Sequence, residues 1–345
     1  MRALRPLLAL VASLAAFVLV APVVVLGAPF WLTAVATRRI ALFLEPRSVD
    51  GWSIHAFDPA LGWRPRPNLD VQFRAKGDTF RVVTGDDGWA GRVTVEDADV
   101  LVLGDSHAFG YGIDAERSFA SLYTAPRIKP IGAPGYNCVQ ELLALRELSA
   151  KLAGKLVVWL VYPGNDIADN LSPGMGGYRT PFVRVRNGDW EIVTSHLSPE
   201  KWWASRGRHG EYHLPTLAAM YTPVSLLGQR GYDACAFVLG QGAALCRAAG
   251  ARLVVVTVPS PMVLDQGDLS VLRSSAGNPE AVNPDYPDRA IGKICEKLGV
   301  RFVPLKDVLT SAEFKRHDDH LTATGHRLVA DVIRRLHRDE AVKST

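Results

Sequence analysis

The sequence is poor in cysteine, with four in 345 residues, and none of their spacings matches a zinc site. That excludes a disulfide-built scaffold and a structural zinc centre as the source of the fold. No glycine-rich phosphate-cradling pattern and no metal-ligand cluster is present in the sequence, so no cofactor is expected. Charge of one sign is also scarce. The net charge is +4, from 39 Lys and Arg against 35 Asp and Glu, and the basic residues are scattered. A nucleic-acid partner is therefore not expected. Hydrophobic residues make up 48% of the chain, enough for a sizeable core.

One region lacks charge altogether. Nothing from Pro6 to Thr37 is Asp, Glu, Lys or Arg. A helix of that length exceeds the ~20 residues that cross a bilayer. Arg2 and Arg5 precede it and Arg38 and Arg39 follow, so flanking charge sets no orientation. Ala34-Val35-Ala36 is a small-residue cleavage pattern, but the run outlasts the roughly 7–15 residues of a signal-peptide core. The expectation is an uncleaved N-terminal membrane anchor over 1–44, a transmembrane helix that makes the membrane a partner. With an exported domain, Cys235 and Cys246 could pair. Cys138 and Cys295 sit in helical patterns as small buried hydrophobes.

Residues 45–97 read as a linker and small β prelude. A turn-rich stretch over 58–68 is followed by Val71, Phe73, Phe80, Val82 and Val83, which suit a hairpin turning at Gly77-Asp78. From residue 98 apolar strands over 99–103, 128–131, 156–162, 252–258 and 300–303 alternate with helical patterns. One helix over 139–152 is closed by Gly154. A last helix is capped by Thr322 and carries Leu328, Val329, Val332, Ile333 and Leu336 on one face. This alternation predicts an α/β fold, a flavodoxin-like three-layer α/β/α arrangement with a mostly parallel sheet, over 98–345. Residues 167–238 break the rhythm as an insertion. Alternation over 183–186 runs into Asn187-Gly188, a hairpin turn, with Trp190, Trp202, Trp203 and Tyr212 nearby. Those aromatics either roof a cleft, against a sugar or an acyl chain, or simply pack the insertion onto the sheet.

The chemistry concentrates at strand ends. Leu101-Val102-Leu103 leads into Gly104-Asp105-Ser106, where a tight turn presents a hydroxyl beyond the end of a strand. Ser106 is the candidate nucleophile, and its N–H a candidate oxyanion donor. Asp105 is read as an architectural residue that bonds loop amides, and His107 as pointing elsewhere. Gly135, just past the second strand, offers an N–H and room for close approach; a plain turn is the alternative. Asn165, past the third strand, offers an amide donor, and Asp166 holds its loop. His320, before the last helix, is the candidate base, with Asp318 or Asp319 to orient it. His326 is read as a packing or surface histidine.

Ser106, Gly135, Asn165 and His320 stand in the order of the four motifs of the SGNH, or GDSL-like, hydrolase superfamily, which the chain resembles over about residues 98–340. Leu61-Gly62-Trp63 and Asp86-Asp87-Gly88-Trp89 are similar to the lead-in of its membrane-anchored bacterial members. The resemblance implies a serine esterase hydrolysing an acyl ester, O-acetyl included, on a carbohydrate or lipid-like substrate through an acyl-enzyme. With the anchor it implies a single-pass protein of a bacterial inner membrane, its catalytic domain on the periplasmic or extracellular side. An O-acyltransferase modifying an exported polysaccharide and a non-catalytic glycan-binding or assembly protein are the alternatives. The family's aspartate stands three residues before the histidine, and His317 occupies that position. Asp318 takes the orienting role, or Ser106 and His320 act as a dyad with a backbone carbonyl, or the enzyme is impaired; the first is favoured.

Overall fold

Continuous apolar runs become the strands of one parallel sheet in the computed structural model, which describes residues 54–75, 77–175, 178–199, 214–316 and 318–342. Two antiparallel hairpins precede the sheet, β1 (His55–Asp58) with β2 (Gly62–Pro65) and β3 (Asp70–Ala75) with β4 (Asp78–Val83). Then come β5 (Val100–Gly104), the short helix α1 (Ser106–Phe109), β6 (Ile128–Gly132), α2 (Cys138–Glu147), β7 (Leu156–Val161) and α3 (Asp166–Asp169). The insertion supplies two further hairpins, β8 (Gly174–Met175) with β9 (Tyr178–Arg179) and β10 (Phe182–Arg186) with β11 (Asp189–Val193). The helices α4 (Leu214–Met220) and α5 (Leu226–Ala248) lead to β12 (Arg252–Thr257). After α6 (Gln266–Ser274) and α7 (Tyr286–Leu298), the chain closes with β13 (Arg301–Pro304) and α8 (Ala323–Val342).

The sheet runs β6-β5-β7-β12-β13, every pairing parallel. In the order the chain makes them, the strands lie 2-1-3-4-5. That is the flavodoxin-like order, with its topological switch between β5 and β7, where a crevice opens at the carboxyl ends. The strands have period-two faces. Leu101, Leu103, Val157, Trp159, Val161 and Val255 share one core with Leu142 and Leu145 of α2 and Cys235 and Val238 of α5. Val100, Val102, Val158, Leu160, Val254 and Val256 share the other with Val329, Val332, Ile333 and Leu336 of α8. Both faces are covered, which is why the strands read as unbroken apolar runs.

Local signals fix the helix ends that frame the crevice. Asn137 and Gln140 form a capping box at the start of α2. Thr322 Oγ1 accepts from Gly325 N at 3.3 Å at the start of α8. The prelude is anchored near the crevice: Gln140 Nε2 donates to Leu61 O at 2.7 Å, and Trp63 Nε1 to Pro134 O at 3.2 Å.

Two expectations are corrected. The membrane anchor over 1–44 falls outside the described residues, and among the described residues no helix is long and apolar enough to cross a membrane. The described helix of greatest length, α5, carries Arg230, Asp233 and Arg247 and buries only one stripe. Among the described residues the α/β/α arrangement has no transmembrane helix. The membrane-anchored type, the membrane as a partner, the single-pass inner-membrane topology and the periplasmic placement are withdrawn. The pairing of Cys235 with Cys246 is also overturned. All four cysteines are free and buried. Cys235 and Cys246 lie on the same helix, separated by ~16 Å of rise, well beyond disulfide reach.

Candidate active site

The crevice begins with two glycines. A Cβ on Gly132 would lie 1.9 Å from the Gly104 carbonyl oxygen, so the ends of β5 and β6 approach as only glycine permits. Past Gly104 the chain turns into α1. Asp105, 2% exposed, caps this helix: its Oδ1 accepts from His107 N at 2.8 Å. Its Oδ2 accepts from Asn165 Nδ2 at 3.0 Å and from Ser106 Oγ at 3.4 Å. One carboxylate thus ties the turn after β5 to the loop after β7, across the switch point.

Asn165 Nδ2 has a second acceptor, Tyr136 O at 3.4 Å. Two acceptors around one nitrogen fix the amide's orientation, since the flipped amide would set its oxygen against a carboxylate and a carbonyl. Asn165 Oδ1 is buried without a partner. Gly135 has φ 79°, a left-handed conformation that a side chain would strain, and lies in the same loop as Tyr136.

His320 arrives from the segment before α8. Its Nδ1 donates to Asp318 Oδ1 at 2.7 Å, while Asp319 Oδ1 stands at 3.5 Å. This bond sets the tautomer, leaving Nε2 as the lone-pair nitrogen, and Nε2 is buried with no partner. The ring lies 5.4 Å from the His107 ring and 4.9 Å from the Tyr111 ring, centroid to centroid. His107 adjoins Ser106 in sequence, and Tyr111 N donates to Ser106 O at 3.0 Å. Two remote segments, 162–166 and 318–320, therefore converge on the turn over 104–107 that carries Ser106.

Not every expected contact is made. The Ser106 hydroxyl donates to Asp105 and not to His320. Both amide hydrogens of Asn165 are engaged. His317 lies outside the described residues. His107 was read as pointing away, yet it packs against His320 and against Tyr162, 4.6 Å between ring centroids. Burial, and then the nearby His320, hold its imidazole below the ordinary range against the pull of Asp105. Adjacent positions in a short helix give no signal of this, because the ring packs on Tyr162, just past the end of β7.

Beneath the crevice Cys138, Glu141 and Asp166, all buried, bring their Sγ and carboxylate oxygens within 4.8 Å of one another. Cys138 and Glu141 sit three residues apart on α2, while Asp166 starts α3 after β7, so linear spacing does not reveal the set. Asp166 Oδ2 accepts from Tyr162 N at 2.7 Å, holding the loop to β7, and Glu141 accepts from Trp159 Nε1. Burial pushes the Glu141 carboxyl well up, against the hydrogen bond from Trp159, and Asp105 adds to the rise. Burial likewise raises Asp166, with Glu141 and Asp105 next.

His326 is 1% exposed, stacked on Phe119 at 5.7 Å, and its Nδ1 accepts from Phe119 N at 3.3 Å. Burial, with His107 and His320 next, pushes its pKa down to about 3. Between that value and the unfolded value of about 6.5 the unfolded chain binds the extra proton, so stability rises with pH there. The contribution is complete above pH 6.5 and is lost as pH falls toward 3. Urea midpoints should therefore decline on acidification, by roughly 3 kcal/mol of stability between pH 7 and pH 4 from this residue. His326→Gln should flatten that decline; an unchanged slope would assign it to other groups.

Comparison of the sequence with protein-family models and with curated proteins gives no match. Solved structures show distant similarity. A GDSL-like lipase from Bacteroides thetaiotaomicron is 11% identical, over 72% of this chain and 92% of its own, with TM-score 0.39. A carbohydrate acetylesterase family member from Sinorhizobium meliloti is 14% identical, over 70% and 97%, with TM-score 0.38. A psychrotrophic esterase from a Pseudoalteromonas species is 13% identical, over 71% and 96%, with TM-score 0.36. Likeness at this level assigns neither fold nor chemistry, which rest on the sheet order and the distances above.

Proposed function

We propose that this protein is a serine hydrolase that cleaves acyl esters through an acyl-enzyme on Ser106. The observation that supports this most is the state of His320: Asp318 holds Nδ1 at 2.7 Å, and Nε2 is left buried and unpartnered next to the turn that presents a hydroxyl. A buried nitrogen lone pair without a donor costs about 1–3 kcal/mol, and a proton taken from Ser106 removes that cost. In the reaction Ser106 Oγ leaves Asp105, turns to His320 and attacks the acyl carbonyl carbon. The hydroxyl proton passes to Nε2, and Asp318 stabilises the imidazolium. Hydrogen bonds of this kind often tighten only when substrate is bound.

The carbonyl oxygen gains negative charge against the N–H groups of Ser106 and Gly135. Asn165 adds a third donor when its longer, 3.4 Å contact to the neutral Tyr136 carbonyl is exchanged for the anion. Collapse of the tetrahedral intermediate breaks the bond to the alcohol, which departs with the proton from His320. Water then attacks the acyl-enzyme by the same route, releasing the acid and restoring Ser106. The substrate is an acyl ester, O-acetyl included, of a carbohydrate or lipid-like alcohol, a class supported by the ordered set Ser106, Gly135, Asn165 and His320. Incubation with p-nitrophenyl acetate should release nitrophenol and free acetate in equal amounts. Acetate recovered on an added oligosaccharide would identify a transferase instead. Nitrophenol release that survives His320→Ala undiminished would remove the reading.

A further inference from the structure

The face of Gly135 that a side chain would occupy is already filled. A Cβ there would lie 2.8 Å from Met175 Sδ, 2.9 Å from Met175 Cε and 3.5 Å from Trp63 Cζ2. The two walls differ in character. Trp63 is 2% exposed, bonded through Nε1 to Pro134 O, and edge-on to Tyr136 at 5.7 Å. Met175 is 36% exposed and belongs to β8, a two-residue strand whose register partner is Tyr178 in β9. The indole is fixed by the core, whereas the thioether is carried in on the insertion and is unbranched and adaptable.

We propose that Met175 sets the size of the acyl group, restricting the site to short acyl esters; this rests on the serine-hydrolase reading. When the carbonyl oxygen faces the Gly135 N–H, the carbon chain on the carbonyl starts beside this wall. A methyl group fits under the thioether. A chain of several carbons has to displace it, losing the packing that the methionine makes against Gly135. Each methylene that gains or loses a place in an apolar pocket changes discrimination by roughly 10–200-fold. Gly135 matters here twice, for its conformation and because a side chain there would evict Met175.

The test compares kcat/KM on p-nitrophenyl acetate and p-nitrophenyl hexanoate for the full chain, Met175→Ala, Met175→Leu and Met175→Trp, with Ser106→Ala as the blank. Met175→Ala should raise the hexanoate-to-acetate ratio at least ~10-fold. Met175→Trp should lower it, and the volume-conserving Met175→Leu should keep it within about threefold. A ratio in Met175→Ala within about twofold of the starting protein, with Ser106-dependent turnover present, overturns the role of Met175 and leaves the hydrolase reading standing. Absence of Ser106-dependent turnover on either ester overturns the hydrolase reading, and this inference with it.

Discussion

Ser106→Ala should lower kcat for ester hydrolysis on the order of 10⁵–10⁶-fold while leaving the thermal midpoint within a few degrees. Nothing else at the crevice can replace the nucleophile: the remaining donors only polarise a carbonyl for attack by water. The residual rate should be that of such polarisation, still above the uncatalysed reaction. The fold should be little affected. Ser106 makes one side-chain hydrogen bond, to Asp105 at 3.4 Å, and Asp105 keeps its bonds to His107 N and Asn165 Nδ2. Stopped-flow release of nitrophenol, with Ser106→Ala as the comparison, reads the effect directly. A loss of less than about tenfold would mean the ester bond is broken elsewhere.

Asp318→Asn should cost about 10⁴-fold in kcat. The carboxylate accepts from His320 Nδ1 and so keeps the lone pair on Nε2. An asparagine in the same place can present its N–H₂ to Nδ1, which moves the proton to Nε2 and blocks general-base catalysis. Asp319 lies 3.5 Å from the same nitrogen and is not its primary partner. Asp319→Asn should therefore cost about tenfold or less, since it removes a nearby charge and not the bond that sets the tautomer. The ordering of these two adjacent substitutions discriminates between them in a single assay. The reverse ordering would transfer the orienting role to Asp319, and equal small losses would favour a serine–histidine dyad.

The parts of this site differ in how far they can be read from sequence, for a physical reason in each case. Gly104-Asp105-Ser106 and Asn165 each follow a continuous apolar run, whereas Gly135 follows β6, which Lys129 interrupts; a run buried on both faces places its end at the rim of a parallel sheet. Convergence of those segments follows from topology, since β5 and β7 flank the switch point. Asp318 and Asp319 are neighbours in sequence, and the path of the loop before α8 decides which one reaches Nδ1. The loop reading of Asp105 as an amide-binding residue agrees with its cap on His107, but its bond to Asn165 spans two strands and is invisible in a linear pattern. The same holds for His107 against His320, for Met175 against Gly135, and for Glu141 beside Asp166. The pairing of Cys235 with Cys246 failed because both residues lie along one long helix, a length the apolar spacing alone does not show.

Mass-spectrometric mapping of a fluorophosphonate adduct on the full chain examines the chemistry with no assumption about the natural substrate. One adduct per chain, located on the peptide that contains Ser106 and absent from Ser106→Ala, is the predicted result. An adduct confined to another hydroxyl, or none under conditions that label a known serine esterase, would contradict the assignment of this crevice as an acyl-transfer site.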